Sequence, residues 1–145
     1  IPVDVRFLEL MPIGEGKEGE TISNTTLFQK IKEIYPDIKP DERKHGNGPA
    51  IYYKIPGFEG SIGFISAIHG VFCDSCNRLR MTSTGELKPC LCYDETISVR
   101  DVARCGDSEK IRENIKHAIQ IKPKKHCFSE IEKVSEKKKM AQIGG

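Results

Sequence analysis

Three closely spaced cysteines are the residues of this sequence whose types and positions best fit chemistry. Cys73 and Cys76 enclose two residues in a Cys-X-X-Cys pattern, and Cys90 follows after a further thirteen. Thiolates in such patterns hold zinc, hold an iron–sulfur cluster, or act as a redox pair. Spacing alone favours zinc and a cluster about equally, and it favours a disulfide much less.

A predicted hairpin brings the three cysteines together. Strands at 78–82 and 86–90 flank a turn at 83–85, whose Ser-Thr-Gly composition is typical of a hairpin. If Thr84-Gly85 alone forms a two-residue turn, residue 82 faces residue 87 and Cys90 lies across from Leu79, about 5 Å away on the neighbouring strand. The three thiols are therefore expected to converge through local geometry.

The number of ligands separates the metal hypotheses. A structural zinc ion needs four ligands, so Cys92 or the pair His126-Cys127 would have to complete its shell. A cubane cluster held by three cysteines instead keeps one iron open for a substrate. A zinc-stabilised binding module and a Cys-X-X-Cys redox protein thus stand beside the iron–sulfur hypothesis.

Two arginines follow the Cys-X-X-Cys pattern directly. Strand alternation places Arg78 and Arg80 on one face, and Lys88 of the facing strand adds charge. Guanidinium groups bind phosphate through two parallel hydrogen bonds, so the pair is suited to an anionic substrate. Two solvated arginines on an edge strand are the simpler alternative, but the neighbouring metal-type site favours a substrate role.

Composition limits the class of protein. The chain has 145 residues, of which 37% are apolar and 30% charged, with a net charge of +2. This balance indicates one globular domain that binds neither nucleic acid nor membrane. The first residues lack the pattern of a signal peptide and no apolar run could span a bilayer, so a cytoplasmic location is expected.

Periodicity predicts mixed α and β structure around the cysteines. The predicted elements before the cysteines are a strand at 3–10, a helix at 24–35, and strands at 50–55 and 61–68. After the cysteines, a short helix is expected to be capped by Ser98 and to end at Gly106. A second helix is expected to be capped by Ser108, with one apolar face formed by Ile111, Ile115, Ala118 and Ile119. From Lys122 onward the chain is expected to be an irregular, basic tail.

Around its cysteines and arginines, the sequence closely resembles the C-terminal part of the GTP 3′,8-cyclase family. Members of this family are radical S-adenosylmethionine (SAM) enzymes of molybdenum cofactor biosynthesis. The resemblance runs from end to end, and the cysteine–arginine block is its most specific part. The matching segments are Leu10-Met11-Pro12, 63–66, 72–80, 84–91, the stretch from Ser98 to Asp101, and the terminal Gly144-Gly145.

The resemblance implies a set of roles. Cys73, Cys76 and Cys90 would ligate a 4Fe–4S cluster whose open iron meets the guanine of GTP. The triphosphate would be held by Arg78, the backbone at Leu79, and Arg80. Met11 would lie near SAM, and Gly144-Gly145 would enter the active site. Cys92 would be a spare buried thiol or an adventitious fourth ligand, and Cys105 and Cys127 inert, partly buried thiols.

The resemblance also implies a fold and a division of labour. An α/β to α+β fold is expected, in which residues 1–36 are the last βα unit of an incomplete barrel. A small antiparallel-sheet and helix region would complete a domain over 1–121, followed by the tail 122–145. The family's C-X-X-X-C-X-X-C motif for the SAM cluster is absent from these residues. The chain is therefore expected to need an N-terminal radical SAM half as a partner and to be inactive without it. The strand at 3–10 would pair differently, lie exposed, or form a homodimer through its edge.

Overall fold

A computed structural model describes residues 2–70 and 72–143 and divides the chain into two compact units. The first unit comprises Ile1–Met11 and Glu20–Ser75, and the second comprises Pro12–Gly19 and Cys76–Gly145. Each unit contains one sheet and few helices, so the predicted α+β character is confirmed. The separation of a domain at 1–121 from a tail at 122–145 stays a prediction.

The sheet of the first unit has the strand order β1-β4-β3-β2. Its strands are β1 (Val5–Leu8), β2 (Lys39–Pro40), β3 (Ile51–Lys54) and β4 (Ile62–Ile65). Strands β3 and β4 form the predicted antiparallel hairpin, and β2 adds antiparallel to β3. Strand β1 pairs with β4 in parallel, so the expected N-terminal strand has a partner within the described residues.

Aromatic side chains form much of the core of this unit. The ring of Phe64 on β4 lies 5.8 Å from that of Phe7 on β1 and 5.8 Å from that of Phe28. Phe28 belongs to helix α1 (Asn24–Ile34) and also packs against Tyr53 of β3, at 4.6 Å between ring centroids. Helix α1 therefore covers the sheet with the apolar stripe that its sequence predicted.

Helix α1 begins at Asn24, as predicted, but its N-cap is not one of the polar residues 24–26 that the sequence indicates for capping. Ser23 is the N-cap, and its Oγ accepts a hydrogen bond from the Thr26 N–H at 3.1 Å. Asn24 is the first helical residue and is buried. The helix ends at Ile34, two residues before Pro36, whose ring disfavours helical geometry in the preceding residue.

A polar network fixes the starting points of the parallel strands. The imidazole of His45 lies between two carboxylates, with Nδ1 2.9 Å from Asp4 and Nε2 3.0 Å from Asp41. Asp41 also accepts hydrogen bonds from Arg43 and Ser61, which hold the pKa of this carboxyl below its usual value. The Ser61 N–H and the side chain of His45 lower the pKa of Asp4. The loop before β3 is thus tied to the residues preceding β1 and β4.

The sheet of the second unit has the strand order β5-β6-β7 and is antiparallel. Its strands are β5 (Arg80–Met81), β6 (Glu86–Lys88) and β7 (Ile97–Ser98), followed by helices α2 (Arg100–Arg104) and α3 (Ser108–Gln120). A small core joins α3 to this sheet, and its members are Leu87, Val99 and Ala118, with Leu79 and Ile97 packed against it. Among residues 2–70 and 72–143, no helix is long and apolar enough to cross a membrane.

Both helices of this unit were predicted, but their N-caps differ from the sequence interpretation. Ser98 lies in β7, and the N-cap of α2 is Val99, which makes no side-chain capping bond. Asp107 rather than Ser108 caps α3, accepting a hydrogen bond from the Lys110 N–H at 3.0 Å. The predicted end of α2 at Gly106 is confirmed, because this residue adopts a φ of +72°.

The C-terminal segment from Lys122 to Ile143 is irregular, as expected, yet it is packed. Its regular structure is limited to two short 3-10 turns, Ile131–Lys133 and Met140–Gln142. Several of its side chains are nevertheless buried: Cys127, Phe128, Val134, Glu136 and Ile143. The segment is therefore an integral part of the second unit.

Candidate functional site

Cys73 and Cys76 lie on either side of the point at which the chain leaves the first unit. Cys73–Ser75 forms a single 3-10 turn. The N–H and the Oγ of Ser75 both donate to the Phe72 carbonyl, at 3.3 Å and 3.2 Å. Cys73 and Cys76 both carry a thiol and are half-buried. Both side chains are therefore partly accessible to solvent.

Strands β5 and β6 pair one residue away from the predicted register. Arg80 lies opposite Lys88, whereas the predicted two-residue turn placed Leu79 opposite Cys90. Extending this register beyond the paired residues would place Cys90 level with Arg78. The prediction of a hairpin is confirmed, and its predicted register is wrong by one residue.

The turn of this hairpin explains the difference. It contains three residues, 83–85, because Gly85 adopts a φ of +80° and donates its N–H to the Thr82 carbonyl at 3.1 Å. The Thr82 N–H then donates to the Glu86 carbonyl at 2.9 Å, which closes the ladder. A three-residue turn with glycine in the left-handed region shifts the pairing by one position relative to a two-residue turn.

Cys90 lies in the wall of a cavity of about 220 Å³ within the second unit. The other lining residues are Pro89, Tyr93, Glu95, Ile121 and Pro123. Cys90 is half-buried, as are Cys73 and Cys76, so all three predicted ligands are partly accessible.

Arg78 and Arg80 lie in different environments. Strand β5 begins at Arg80, so Arg78 precedes the strand and is exposed, and its carbonyl accepts a hydrogen bond from Lys122 Nζ at 2.9 Å. Arg80 is half-buried, and burial together with the charge of Arg78 lowers the pKa of its guanidinium. An anion bound beside these two residues would offset both effects.

Leu79 contributes its side chain to packing. It lies against the small core formed by Leu87, Val99 and Ala118. The backbone is consequently the part of Leu79 that is suited to a ligand.

Lys88 does not add charge to the arginine pair, contrary to the sequence interpretation. Its side chain is 1% exposed and its ammonium group forms an ion pair with Glu136, whose side chain is 2% exposed. The same ammonium group donates to the Tyr93 carbonyl. Lys88 therefore anchors the C-terminal segment to β6. The pairing was missed because a lysine in a short hairpin strand is most often solvated.

Met11, predicted to lie near SAM, is half-buried just beyond the end of β1. Two residues before Met11, Glu9 is a buried carboxylate that was not among the predicted site residues. Its Oε1 accepts from the Asn24 N–H at 3.0 Å, and its Oε2 accepts from the Ile68 and His69 N–H groups at 2.7 Å and 3.0 Å. Glu9 thus ties the end of β1 to α1 and to the loop after β4.

The sequence did carry a signal for Glu9. It is the one charged residue in the otherwise apolar run Phe7-Leu8-Glu9-Leu10, which precedes Met11-Pro12. Burial raises the pKa of Glu9, but the three N–H donors outweigh burial, so the pKa lies below its ordinary value. Nδ1 of His69, 3.1 Å away, acts in the same direction.

The remaining three cysteines differ in their exposure to solvent. Cys92 and Cys127 are both buried, with their Sγ atoms 2.8 Å apart. Burial of Cys92 was predicted, whereas Cys127 was expected to be only partly buried. Burial, followed by the hydrogen bond with Cys127, raises the pKa of Cys92 to about 12. Cys105 is exposed, so its predicted partial burial is wrong: the short helix α2 ends there without covering it.

A compact site for a single metal ion is absent from the described part of the chain. Within residues 2–70 and 72–143, no three or more His, Cys, Asp or Glu side chains are grouped in a way that could hold a metal ion. This absence supports neither a structural zinc site nor the predicted convergence of the thiols of Cys73, Cys76 and Cys90. Cluster ligation by Cys73, Cys76 and Cys90 stays a prediction, and the predicted active-site residues Gly144 and Gly145 lie outside the described residues.

Comparison with known proteins identifies similar sequences over nearly the whole chain. Residues 3–128 match the family model Molybdenum Cofactor Synthesis C. The chain is 46% identical over 145 residues to a GTP 3′,8-cyclase of Clostridium perfringens (strain SM101 / Type A), a match that covers 99% of this chain and 45% of the relative. It is 40% identical over 147 residues to a GTP 3′,8-cyclase of Alkaliphilus metalliredigens, a match that covers 99% of this chain and 44% of the relative. The chain thus spans about half the length of the curated relatives it matches.

Proposed function

Because the chain belongs to the Molybdenum Cofactor Synthesis C family, we propose that it is the C-terminal portion of a GTP 3′,8-cyclase and supplies the substrate-binding part of that enzyme's site. The observation that carries the proposal is a family match over residues 3–128 that includes Cys73, Cys76 and Cys90 with two arginines beside them. GTP is the proposed substrate, and its conversion to 3′,8-cyclo-7,8-dihydro-GTP is the proposed reaction of the complete enzyme.

Cys73, Cys76 and Cys90 are the proposed ligands of a 4Fe–4S cluster. The fit rests on the donor set: these three thiols are half-buried, whereas Cys92 and Cys127 are buried against each other. When bound, the cluster would supply an open iron that can bind a nitrogen or oxygen atom of the base. The contribution of this chain is to hold the guanine in place.

Arg78 and Arg80 are proposed to hold the triphosphate. Their charges lie close enough for Arg78 to lower the pKa of Arg80, a repulsion that a polyanion between them would relieve. The backbone at Leu79 is proposed to contribute hydrogen bonds, since its side chain is occupied by packing. Holding base and phosphates at once restricts the ribose, which is how a binding site contributes proximity to a reaction.

The remaining parts of the proposal concern the rest of the enzyme. Met11 is proposed to contact SAM, and Gly144-Gly145 to enter the site. Residues 1–145 contain no C-X-X-X-C-X-X-C motif, so this chain alone is proposed to bind GTP without converting it.

Cluster binding is tested by anaerobic reconstitution with ferrous iron and sulfide. We expect brown protein with about four irons and four sulfides per chain. Cys73→Ser, Cys76→Ser and Cys90→Ser should each lose most of this iron, because two thiolates cannot retain the cluster. Cys105→Ser is the matched control, since Cys105 is exposed and outside the motif. A colourless protein that takes up zinc, and fails reconstitution, would contradict the proposal in favour of a zinc-stabilised module.

GTP binding is tested by titration calorimetry on the reconstituted chain. Loss of a charge-assisted hydrogen bond costs about 1.5–3 kcal/mol, so Arg78→Ala or Arg80→Ala should raise the Kd for GTP about 10- to 100-fold. The iron content should stay unchanged. Arg112→Ala is the control, because Arg112 is an exposed residue of α3 paired with Glu109. Equal GTP affinity in all four proteins would remove the arginines from the site.

A further inference from the structure

Cys92 and Cys127 form a close pair of sulfur atoms that the proposed function does not use. Their Sγ atoms are 2.8 Å apart, although 35 residues separate them in sequence. Cys92 is fully buried, and Cys127 is 7% exposed. A disulfide bond is about 2.05 Å long, so a movement of less than about 1 Å would bring the sulfurs to bonding distance.

The surrounding backbone holds the two cysteines together. The Cys127 N–H donates to Cys92 Sγ at 3.1 Å. The Glu136 N–H donates to the Cys92 carbonyl at 3.4 Å, so the C-terminal segment contacts Cys92, shortly after β6, at two points. These contacts hold the thiols in proximity before any covalent bond forms.

We propose that Cys92 and Cys127 are an oxidation site at which a small-molecule disulfide converts the two thiols into an intramolecular disulfide. The Cys127 sulfur attacks one sulfur of the oxidant, and one small-molecule thiolate leaves. The Cys92 sulfur then attacks the Cys127 sulfur of the mixed disulfide, and the second thiolate leaves. Both protein protons pass to the departing thiolates, so one small disulfide is reduced to two thiols for each protein disulfide formed.

Access to this pair requires local opening of the C-terminal segment. The segment contains two three-residue 3-10 turns and no longer helix among its described residues, so it is the least regular part of the second unit. Cys127 lies in this segment and is the more exposed of the two, which makes it the sulfur that meets the oxidant first. Cys92 then acts as the resolving thiol.

The cross-link would join the C-terminal segment to the sheet. It would close a loop over residues 92–127, which includes β7, α2 and α3. A loop of this length restricts the unfolded chain, and the folded second unit gains stability relative to it. The oxidised chain should therefore resist both thermal unfolding and release of its C-terminal segment.

The test is oxidation of the purified chain with oxidised glutathione, followed by alkylation, proteolysis and mass spectrometry. We expect a peptide pair linked through Cys92 and Cys127, with a mass lower by two hydrogens than the sum of its reduced parts. The melting temperature should rise by about 5–15 °C and return to its starting value with dithiothreitol. Alkylation of both cysteines after oxidation, or glutathione retained on Cys127 without a cross-link, would overturn the proposal.

Two sets of variants isolate the pair. Cys127→Ser should abolish the rise in melting temperature, whereas Cys105→Ser should keep it, because Cys105 is an exposed residue at the C-cap of α2 and is not a member of the pair. The triple variant Cys73→Ser, Cys76→Ser and Cys90→Ser should still form the cross-link, which excludes exchange with the Cys-X-X-Cys thiols. If a variant fails to fold, the peptide map of the unaltered chain decides. Since no cluster is needed, the result does not depend on the proposed function.

Discussion

At the scale of single residues, the most consequential interaction outside the proposed site is the ion pair between Lys88 and Glu136. Both side chains are almost completely removed from water, at 1% and 2% exposure. A charge buried in this way is tolerable only while its partner remains, because the desolvation cost is then offset by the opposite charge and by hydrogen bonds. The Tyr93 carbonyl and the Lys138 N–H supply two of those hydrogen bonds.

We therefore expect Lys88→Met to destabilise the protein by about 3–5 kcal/mol, because Glu136 would stay buried without a cation. Urea unfolding followed by circular dichroism measures this change. Lys110→Met is the control: Lys110 pairs with Glu113 in an exposed salt bridge, so it should change the free energy of unfolding by less than about 1 kcal/mol.

The double variant Lys88→Met, Glu136→Leu separates charge from packing. It should recover most of the lost stability, since both buried charges are removed together. A double variant as unstable as Lys88→Met alone would contradict the assignment of the loss to an uncompensated carboxylate.

At the scale of elements, Glu9 connects three of them. Its carboxylate meets the first N–H of α1 and two N–H groups of the loop after β4, at the carboxyl ends of the parallel strands. The net effect of these donors is a pKa below the ordinary value of 4.5. A carboxyl with a depressed folded-state pKa contributes stability that is complete above the ordinary pKa. This contribution is lost as the pH falls towards the folded-state value.

Glu9→Gln should make the stability of the protein less dependent on pH below about 4.5 and lower it at neutral pH by about 1–3 kcal/mol, because an amide oxygen accepts fewer and weaker hydrogen bonds. Unfolding curves in urea between about pH 3 and pH 7 measure both effects. Nδ1 of His69 also contacts this carboxylate, at 3.1 Å from Oε1. A variant and a parent with parallel stability profiles across this range would show that the carboxylate charge is unimportant.

Elements with a strong local pattern could be predicted from sequence. The stripe of α1, the β3–β4 hairpin and the glycine stop after α2 all depend on residues close together in the chain. Two N-caps lie one residue before the predicted positions, because Ser23 and Asn24, like Asp107 and Ser108, are adjacent polar residues that compete for the same role. The two-residue strands β2 and β7 are too short to show a period.

At the scale of the whole chain, the family and the α+β class could be predicted from sequence, but the pairings between distant segments could not. The parallel contact of β1 with β4 joins residues 57 positions apart, as Val5 pairs with Ile62. The burial of Lys88 depends on Glu136, 48 positions later in the C-terminal segment. Such contacts depend on tertiary packing, which local periodicity does not report. The cysteine and arginine motifs, by contrast, are short and could be identified directly.

The long separation between β1 and β4 also affects how the protein is made. Ribosomes add about 5–20 residues per second, so β1 waits about 3–11 s for β4 after it has been synthesised. The hairpin of β3 and β4 closes a loop of only a few residues and forms as soon as β4 emerges. During the wait, β1 presents Val5 and Leu8, which are 47% and 53% exposed even after folding, to other nascent chains on the same messenger. The speed of translation between these two strands therefore sets how long β1 is open to pairing with the wrong partner.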